Sequence, residues 1–400
     1  MKEAPGELLP ATRRLASIDA YRGFVMFLLI AESLHFAAVA KARPESKVWA
    51  FLATHQEHVE WVGCTLHDMI QPSFSFLVGV ALPFSLLSRS AHGQSALRRT
   101  LHAFWRAFAL VALGIFLRSM GRDRTNYTFE DTLTQIGLGY GFLYILGTRS
   151  VRVQWAALIV ILIGYWAAFA LYRVPEGFDY PAVGVPVEWQ ENLATGFASH
   201  WNKNANLAWR FDTWFMNLFP RKAPFKFNGG GYSTLSFIPT LGTMILGLLA
   251  GGVLARTDRR PWVKVGVLVL GGLVSLGVGY VLGRYGVCPI VKRIWTPSWT
   301  LFSGGWCLIA LGLSYAVLDV VNFRAWAYPL IVIGANSIAA YLMTWLFKGW
   351  IAGNLKTHLG RDAFKVFGAD YETTLLGAAI VLVMWLMLFW MYRRKIFLKV

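Results

Sequence analysis

Apolar runs long enough to cross a bilayer recur along the whole chain, separated by connections in which Lys and Arg collect. A helix needs about 20 mostly apolar residues to span the hydrocarbon core. Such runs fall at 21–39, 69–87, 101–117, 133–146, 153–172, 235–254, 263–282, 299–318, 329–346 and 375–392. The fourth is short, and the ninth is open to a break near Gly349. Of the 400 residues, 56% are hydrophobic and only 15% are charged, too little polar surface to wet a soluble chain of this length. Most of the charges sit between the apolar runs, as the cost of a charge in lipid demands. The expectation is an all-α, polytopic integral membrane protein with about ten transmembrane helices in one bundle.

The positive charges give the orientation. Lys2, Arg13 and Arg14 precede the first run, and Arg89, Arg98 and Arg99 join the second to the third. Arg149 and Arg152 lie between the fourth and fifth, and Arg256, Arg259, Arg260 and Lys264 between the sixth and seventh. Arg393, Arg394, Lys395 and Lys399 form the tail. With ten spans all of these fall on one side, so the positive-inside rule places both termini in the cytoplasm. The net charge of +17 is accounted for in this way; no basic stripe with interleaved stacking aromatics suggests a nucleic-acid partner.

The chain reads as one domain over 1–400, with an outer insertion at about 173–232. That insertion carries Trp201, Trp209 and Trp214 among polar residues, a pattern suited to a helix lying in the interface. The start is polar and lacks the apolar core and small-residue site of a cleaved signal peptide, so the first span is expected to be the insertion signal. Cys64, Cys288 and Cys307 form no CxxC or Cys/His spacing, and no zinc site or disulfide framework is indicated. Glycine runs such as GGLVSLGVGYVLG suit close helix packing in lipid. No phosphate-loop motif accompanies them. Such small-residue surfaces permit a homodimer without requiring one.

Chemistry concentrates in THQEHVEWVGCTLHDMIQP, between the first two spans. It brings His55, His58 and His67 near Glu57, Glu60 and Asp68. An imidazole beside a carboxylate is held in one tautomer and acts as base or nucleophile. The same residue types also ligate metals, and a solvated loop with idle histidines is the plainest alternative. Inside the spans lie Glu32, Ser33 and His35 on the first, Gln71 on the second, Gln135 on the fourth, and Asn336 and Tyr341 on the ninth. Polar groups at such depth face a bundle interior or a watery cavity, or serve as interhelical glue worth under about 1 kcal/mol each.

Taken together, RLASIDAYRGFVMF, EHVEWVGCTLHDMIQPSFSFLVGVALP, DTLTQIGLGYGFLYIL, NLAWRFD, GGGYSTLSFIPTLGTMILG, KRIWTPSWTLFSGGW and PLIVIGANSIAAYL resemble the heparan-α-glucosaminide N-acetyltransferase family, in particular its bacterial members of the NagX type. The segments follow the family's order and cover nearly the whole chain. The resemblance implies a membrane enzyme, in a bacterial inner membrane, that moves acetyl from acetyl-CoA to the amine of a glucosamine unit. It makes His58, ahead of Trp61, Gly63 and Thr65, the catalytic group and Asp68 its partner. It also implies a polar residue near the outer end of the first helix, either Glu32 or Ser33. Trp61, Gln135, Asn336 and Tyr341 are further candidates for the substrate site, with Asn336 and Gln135 as oxyanion donors. Arg22, Lys292 and Trp295 are candidates for holding CoA. Lipid surrounds the whole.

Two departures matter. The family's D-L-I-F-P run reads DMIQP, with Gln71 in place of an apolar residue, and the large lumenal extension of animal members is lacking, so a free or short amino sugar is a better acceptor than a polymer. Two other readings remain open. An amino-sugar transporter is one, although no matching pair of interrupted helices stands out in two halves. An O-acyltransferase acting on a surface glycan or lipid is the other.

Overall fold

A computed structural model describes residues 15–398. Lys2, Arg13, Arg14 and Lys399, used above for orientation, lie outside the described residues. Within them the chain is predominantly helical and holds no strand. The helices are α1 (Ala16–Ala31), α2 (Phe36–Ala42), α3 (Lys47–Gln56), α4 (Ile70–Ala91), α5 (Ala96–Ser119), α6 (Thr132–Gly147), α7 (Val151–Leu171) and α8 (Leu207–Phe215). They continue with α9 (Phe237–Ala255), α10 (Pro261–Arg284), α11 (Pro297–Tyr315), α12 (Tyr328–Gly334), α13 (Ser337–Leu346), α14 (Lys348–Leu359) and α15 (Glu372–Arg393).

Each of the ten expected apolar runs is helical. Among the described residues seven helices are long and apolar enough to cross a membrane, or nine if each of two bent pairs is one span. The fourth run is α6, whose 16 residues fall short of the length that covers the hydrocarbon core. The chain is thus a polytopic helical membrane protein.

The helix breaks differ in part from expectation. The first run bends by 42° at His35, between α1 and α2, and the ninth bends by 66° between α12 and α13, at Ala335–Asn336; a second interruption falls at Phe347, near Gly349, between α13 and α14. His35 takes the left-handed conformation, costly for a residue with a Cβ. Gln56 offsets that cost: its side chain donates to the Ala31 carbonyl and accepts from the Phe36 N–H, both at 2.7 Å. Those are groups that an unbroken helix would pair internally.

By contacts the chain forms two compact units. One comprises Glu60–Gly63 and Ser75–Gly312. Within it the most apolar stretch of the span containing α9 is 72% buried and that of α10 only 17%, so α9 is an inner column and α10 shows most of its surface to lipid. α4 meets α9 with backbones in contact. A Cβ added at Gly79 would lie 1.9 Å from the Met244 carbonyl oxygen, and one at Gly247 would lie 2.0 Å from that of Phe76. Small residues at such crossings let helices associate in lipid, where no hydrophobic force drives them together. The insertion folds as short turns around α8. Trp201, expected in an interfacial belt, is fully buried against Trp61, Tyr165 and Phe169, whereas Trp214 is exposed.

The other unit comprises 15–59, 64–74 and 313–398 of the described chain. α1 crosses α12 through Gly23 and Gly334, where a Cβ would lie 1.8 Å from the carbonyl oxygens of Leu330 and Asp19 respectively. The first turn of α1 has no local side-chain cap. Its orphan Ala16 and Ser17 N–H groups donate instead to the two carboxylate oxygens of Asp319, at 3.1 and 3.0 Å, a charge well placed for the helix dipole.

Candidate active site

The motif between the first two spans folds into a tight polar knot in the second unit. α3 ends at Gln56, and the loop that follows turns back so that His58 meets Asp68 ahead of α4. His58 Nδ1 lies 2.7 Å from Asp68 Oδ1. The second carboxylate oxygen accepts the N–H groups of Val59 at 3.3 Å and Thr65 at 3.1 Å. The Thr65 hydroxyl stands 2.6 Å from the Glu57 carbonyl oxygen and 3.0 Å from Asp68 Oδ2, and its one proton serves either. Asp68 is 1% exposed, so these donors replace the water that its charge has lost. A carboxylate facing Nδ1 takes the Nδ1 proton as its hydrogen bond, which leaves the basic lone pair of a neutral ring on Nε2.

The knot extends to a second imidazole. His67, buried, lies with its ring centroid 4.5 Å from that of His58 and tilted by 49°. Its Nε2 is 2.9 Å from Glu32 Oε1. Of the two candidates on the first span, then, Glu32 reaches the histidine cluster. Ser33 is buried, and its backbone carbonyl packs against Gly377. His55 accepts the Leu66 N–H at 3.3 Å and so shapes the same loop. Among the described residues no group of three His, Cys, Asp or Glu side chains is arranged to hold a metal ion.

The remaining candidates in this unit lie elsewhere. Asn336 caps the break between α12 and α13, with its amide 3.0 Å from the Ile396 carbonyl oxygen and its own oxygen accepting the Leu398 N–H at 3.0 Å. Gly334, two residues earlier, packs on Asp19 near the start of α1, whereas Glu32 follows its end. At 1.5 Å per residue that separation is about 20 Å along the helix, so the structure does not bring Asn336 to the imidazole. Arg22, 3.6 Å from Asp19, belongs to that same early part of α1. Tyr341 is buried on α13.

The first unit holds Trp61, Gln135, Lys292 and Trp295. Trp61 is a core side chain whose indole N–H donates to the Trp201 carbonyl at 3.1 Å. Gly231, at φ +75°, touches it so closely that a Cβ would sit 2.6 Å from the ring. Gly63, at φ +123°, donates to the Ile290 carbonyl at 3.0 Å. The W-x-G signature is thus an anchor for the loop. Trp295 is buried with its indole N–H on Thr243 Oγ1 at 3.0 Å, and Lys292 is buried as well. The Gln135 amide donates to backbone carbonyls of Phe129, Ser233 and Thr234 at 2.5 to 3.4 Å, while its oxygen is buried without a hydrogen-bond partner.

Two contributors escaped the sequence reading. Gln56 staples the helix break, whereas His67, already part of the cluster read from the sequence, links Glu32 to it. Asp212 of α8 accepts the Thr234 N–H at 2.9 Å through Oδ2, while its Oδ1 is buried with no partner. Burial pushes the Asp212 carboxyl up to about 7. The only sequence signal for it is its place in NLAWRFD.

No protein-family model matches the chain. Two curated proteins are similar to it: the human heparan-alpha-glucosaminide N-acetyltransferase, 23% identical over 99% of this chain, and the mouse protein of the same name, 21% identical over 83%. The chain spans 62% of the length of the human protein in that match and 53% of the mouse protein. The motif resemblance is therefore matched along the chain, and what this protein is similar to is the heparan-α-glucosaminide N-acetyltransferases.

Proposed function

We propose that this protein is a transmembrane N-acetyltransferase that moves acetyl from acetyl-CoA to the amine of glucosamine or a related amino sugar. The observation that carries the reading is the His58–Asp68 pair, a buried, donor-saturated carboxylate orienting a half-exposed imidazole. The similarity to two acetyltransferases supplies the reaction class.

Aminolysis of a thioester needs an unprotonated amine and a place for its remaining proton once the new bond forms. As the nitrogen attacks the thioester carbonyl carbon, His58 Nε2 takes that proton. Asp68 holds the ring in the required tautomer and stabilises the imidazolium that results. Collapse of the tetrahedral intermediate breaks the carbon–sulfur bond, and the thiolate leaves with the proton returned by His58. The products are the amide and free CoA, and the imidazole ends as it began. His67, buried and backed by Glu32, gives the His58 ring a fixed neighbour on one side. Direct transfer is favoured over an acetyl-histidine intermediate because it leaves no acyl-imidazole exposed to water.

The test is purified protein in detergent with acetyl-CoA and a panel of amino sugars, read by thiol release and product mass. Glucosamine is expected to yield one acetyl group in amide linkage, and N-acetylglucosamine, whose amine is blocked, to yield nothing. An ester product, or no thiol release with any amine, would overturn the reading. Radiolabelled acetyl trapped on the protein without acceptor would replace direct transfer by the two-step route.

A further inference from the structure

Within the first unit a half-open cavity of about 850 Å³ lies along α7, α9, α10 and α11. Its wall is almost wholly apolar, and its polar side chains are already occupied. The Gln154 amide donates to the carbonyls of Leu146 and Arg149 at 3.2 and 3.1 Å, and the Ser275 hydroxyl donates to that of Leu301 at 2.8 Å. The body of any occupant is therefore apolar.

Charge enters at one end only. Arg256 and Arg259, from the connection between α9 and α10, line the cavity there. Arg256 is engaged by Asp258, with Nε 2.9 Å and Nη2 2.7 Å from its two oxygens. Arg259 forms no ion pair among the described residues, and Arg260 follows it. Three arginines against one aspartate leave this turn cationic. The dimensions fit one kind of molecule. From Arg256, just past the end of α9, the lining runs back along that helix to Leu246, and on α10 it reaches Val278, so the groove extends about 15 Å or more from its cationic end. Half of a bilayer's hydrocarbon core is also about 15 Å. The α10 wall is among the least covered surfaces of the unit, so the groove opens toward lipid.

We propose that this groove is a binding site for an anionic phospholipid, with the phosphate at Arg259 and Arg256 and an acyl chain between α9 and α10. The proposal stands independently of the acetyl-transfer reading. Two glycines in the wall make it testable, because a Cβ added at Gly252 or Gly271 meets nothing within 4 Å. Leucine at either position starts from a Cβ in open space, projects into the groove and favours the helix more than glycine does.

The experiment is native mass spectrometry of the full-length protein in mild detergent, titrated separately with dioleoylphosphatidylglycerol and dioleoylphosphatidylcholine. The wild type is expected to retain one phosphatidylglycerol in preference to phosphatidylcholine. Arg259→Gln is expected to weaken phosphatidylglycerol by about fivefold and to narrow its margin over phosphatidylcholine, whose phosphate is offset by the choline cation. Gly271→Leu, with Gly252→Leu as a second filling variant, is expected to lose both lipids while keeping its thermal midpoint. Equal retention of the two lipids by the wild type overturns the proposal. So does undiminished phosphatidylglycerol binding in both filling variants, or a filling variant that separates two copies of the chain without displacing any lipid.

Discussion

Asp68 and Asp212 are both aspartates almost sealed from solvent, at 1% and 3% exposure, yet their surroundings differ in kind. Asp68 meets two backbone N–H groups, a threonine hydroxyl and an imidazole. Asp212 has donors from Thr234 alone and an oxygen with no hydrogen-bond partner, and burial drives its carboxyl toward the protonated form. A buried carboxylate surrounded by donors is favoured as an anion, and here it faces His58. A buried carboxyl left short of donors is held neutral, and it costs stability whenever it ionises. Burial alone therefore does not decide whether an aspartate is favoured charged or neutral; the donors around it do.

The largest effect expected from this contrast is on turnover. Asp68→Asn keeps the size of the side chain but offers no carboxylate to Nδ1, so the ring loses its fixed tautomer and the partner of its imidazolium. The acetylation rate is expected to fall by about a hundredfold to ten-thousandfold, with the circular dichroism spectrum unchanged. Asp212→Asn is expected to leave turnover within about threefold, an effect of under 1 kcal/mol. Equal losses from the two substitutions would erase the distinction.

The next effect is on stability against pH. Because the folded-state pKa of Asp212 is raised, the native protein holds a proton that the unfolded chain gives up between about pH 4 and pH 7. Its contribution is thus fully present at the acid end of that window and is lost as pH rises through about 7. The loss is on the order of 4 kcal/mol at most. Thermal midpoints in detergent from pH 5 to pH 8 are expected to decline for the wild type and to decline less for Asp212→Asn. Parallel curves would show that the orphan oxygen has found a donor.

A smaller effect is expected at the helix break. Gln56→Leu strands the Ala31 carbonyl and the Phe36 N–H, a cost of about 2–3 kcal/mol, seen as a lower thermal midpoint. The smallest concerns the outer support of the histidine cluster. Glu32→Gln keeps an acceptor for His67 but removes a charge that is 37% exposed; as for other partly exposed pairs, less than about fivefold in turnover is expected. A loss as large as that of Asp68→Asn would move Glu32 from support into the chemistry.

Much of this was legible from periodicity and motif. Apolar runs fixed by the thickness of a bilayer located every long helix, and within the cluster of histidines and carboxylates the family resemblance singled out His58 and Asp68. What stayed hidden rests on contacts distant in sequence. The turn at His35 lies in FLLIAESLHFAAV, which carries no Gly or Pro to mark a break, and the side chain that stabilises it comes from Gln56, 20 residues on from Phe36. The cap on α1 comes from Asp319, some 300 residues away. The choice between Glu32 and Ser33 turned on which side chain faces His67, a question of helix phase near an irregular turn. Asn336 was attractive as a polar group in a span, but membrane depth decides its partners, and its span places it beside Ile396 and Leu398. Trp61 and Trp295 carry strong motif signals that report packing, because a buried indole needs an acceptor as well as a cavity.

The most direct measurement is the initial rate of glucosamine acetylation by His58→Ala, alongside its binding of acetyl-CoA. With His58 as the base, the rate is expected to drop by about a hundredfold or more while acetyl-CoA binding and the thermal midpoint stay near those of the wild type. Turnover within about threefold of the wild type, an effect of under 1 kcal/mol on the barrier, would contradict it.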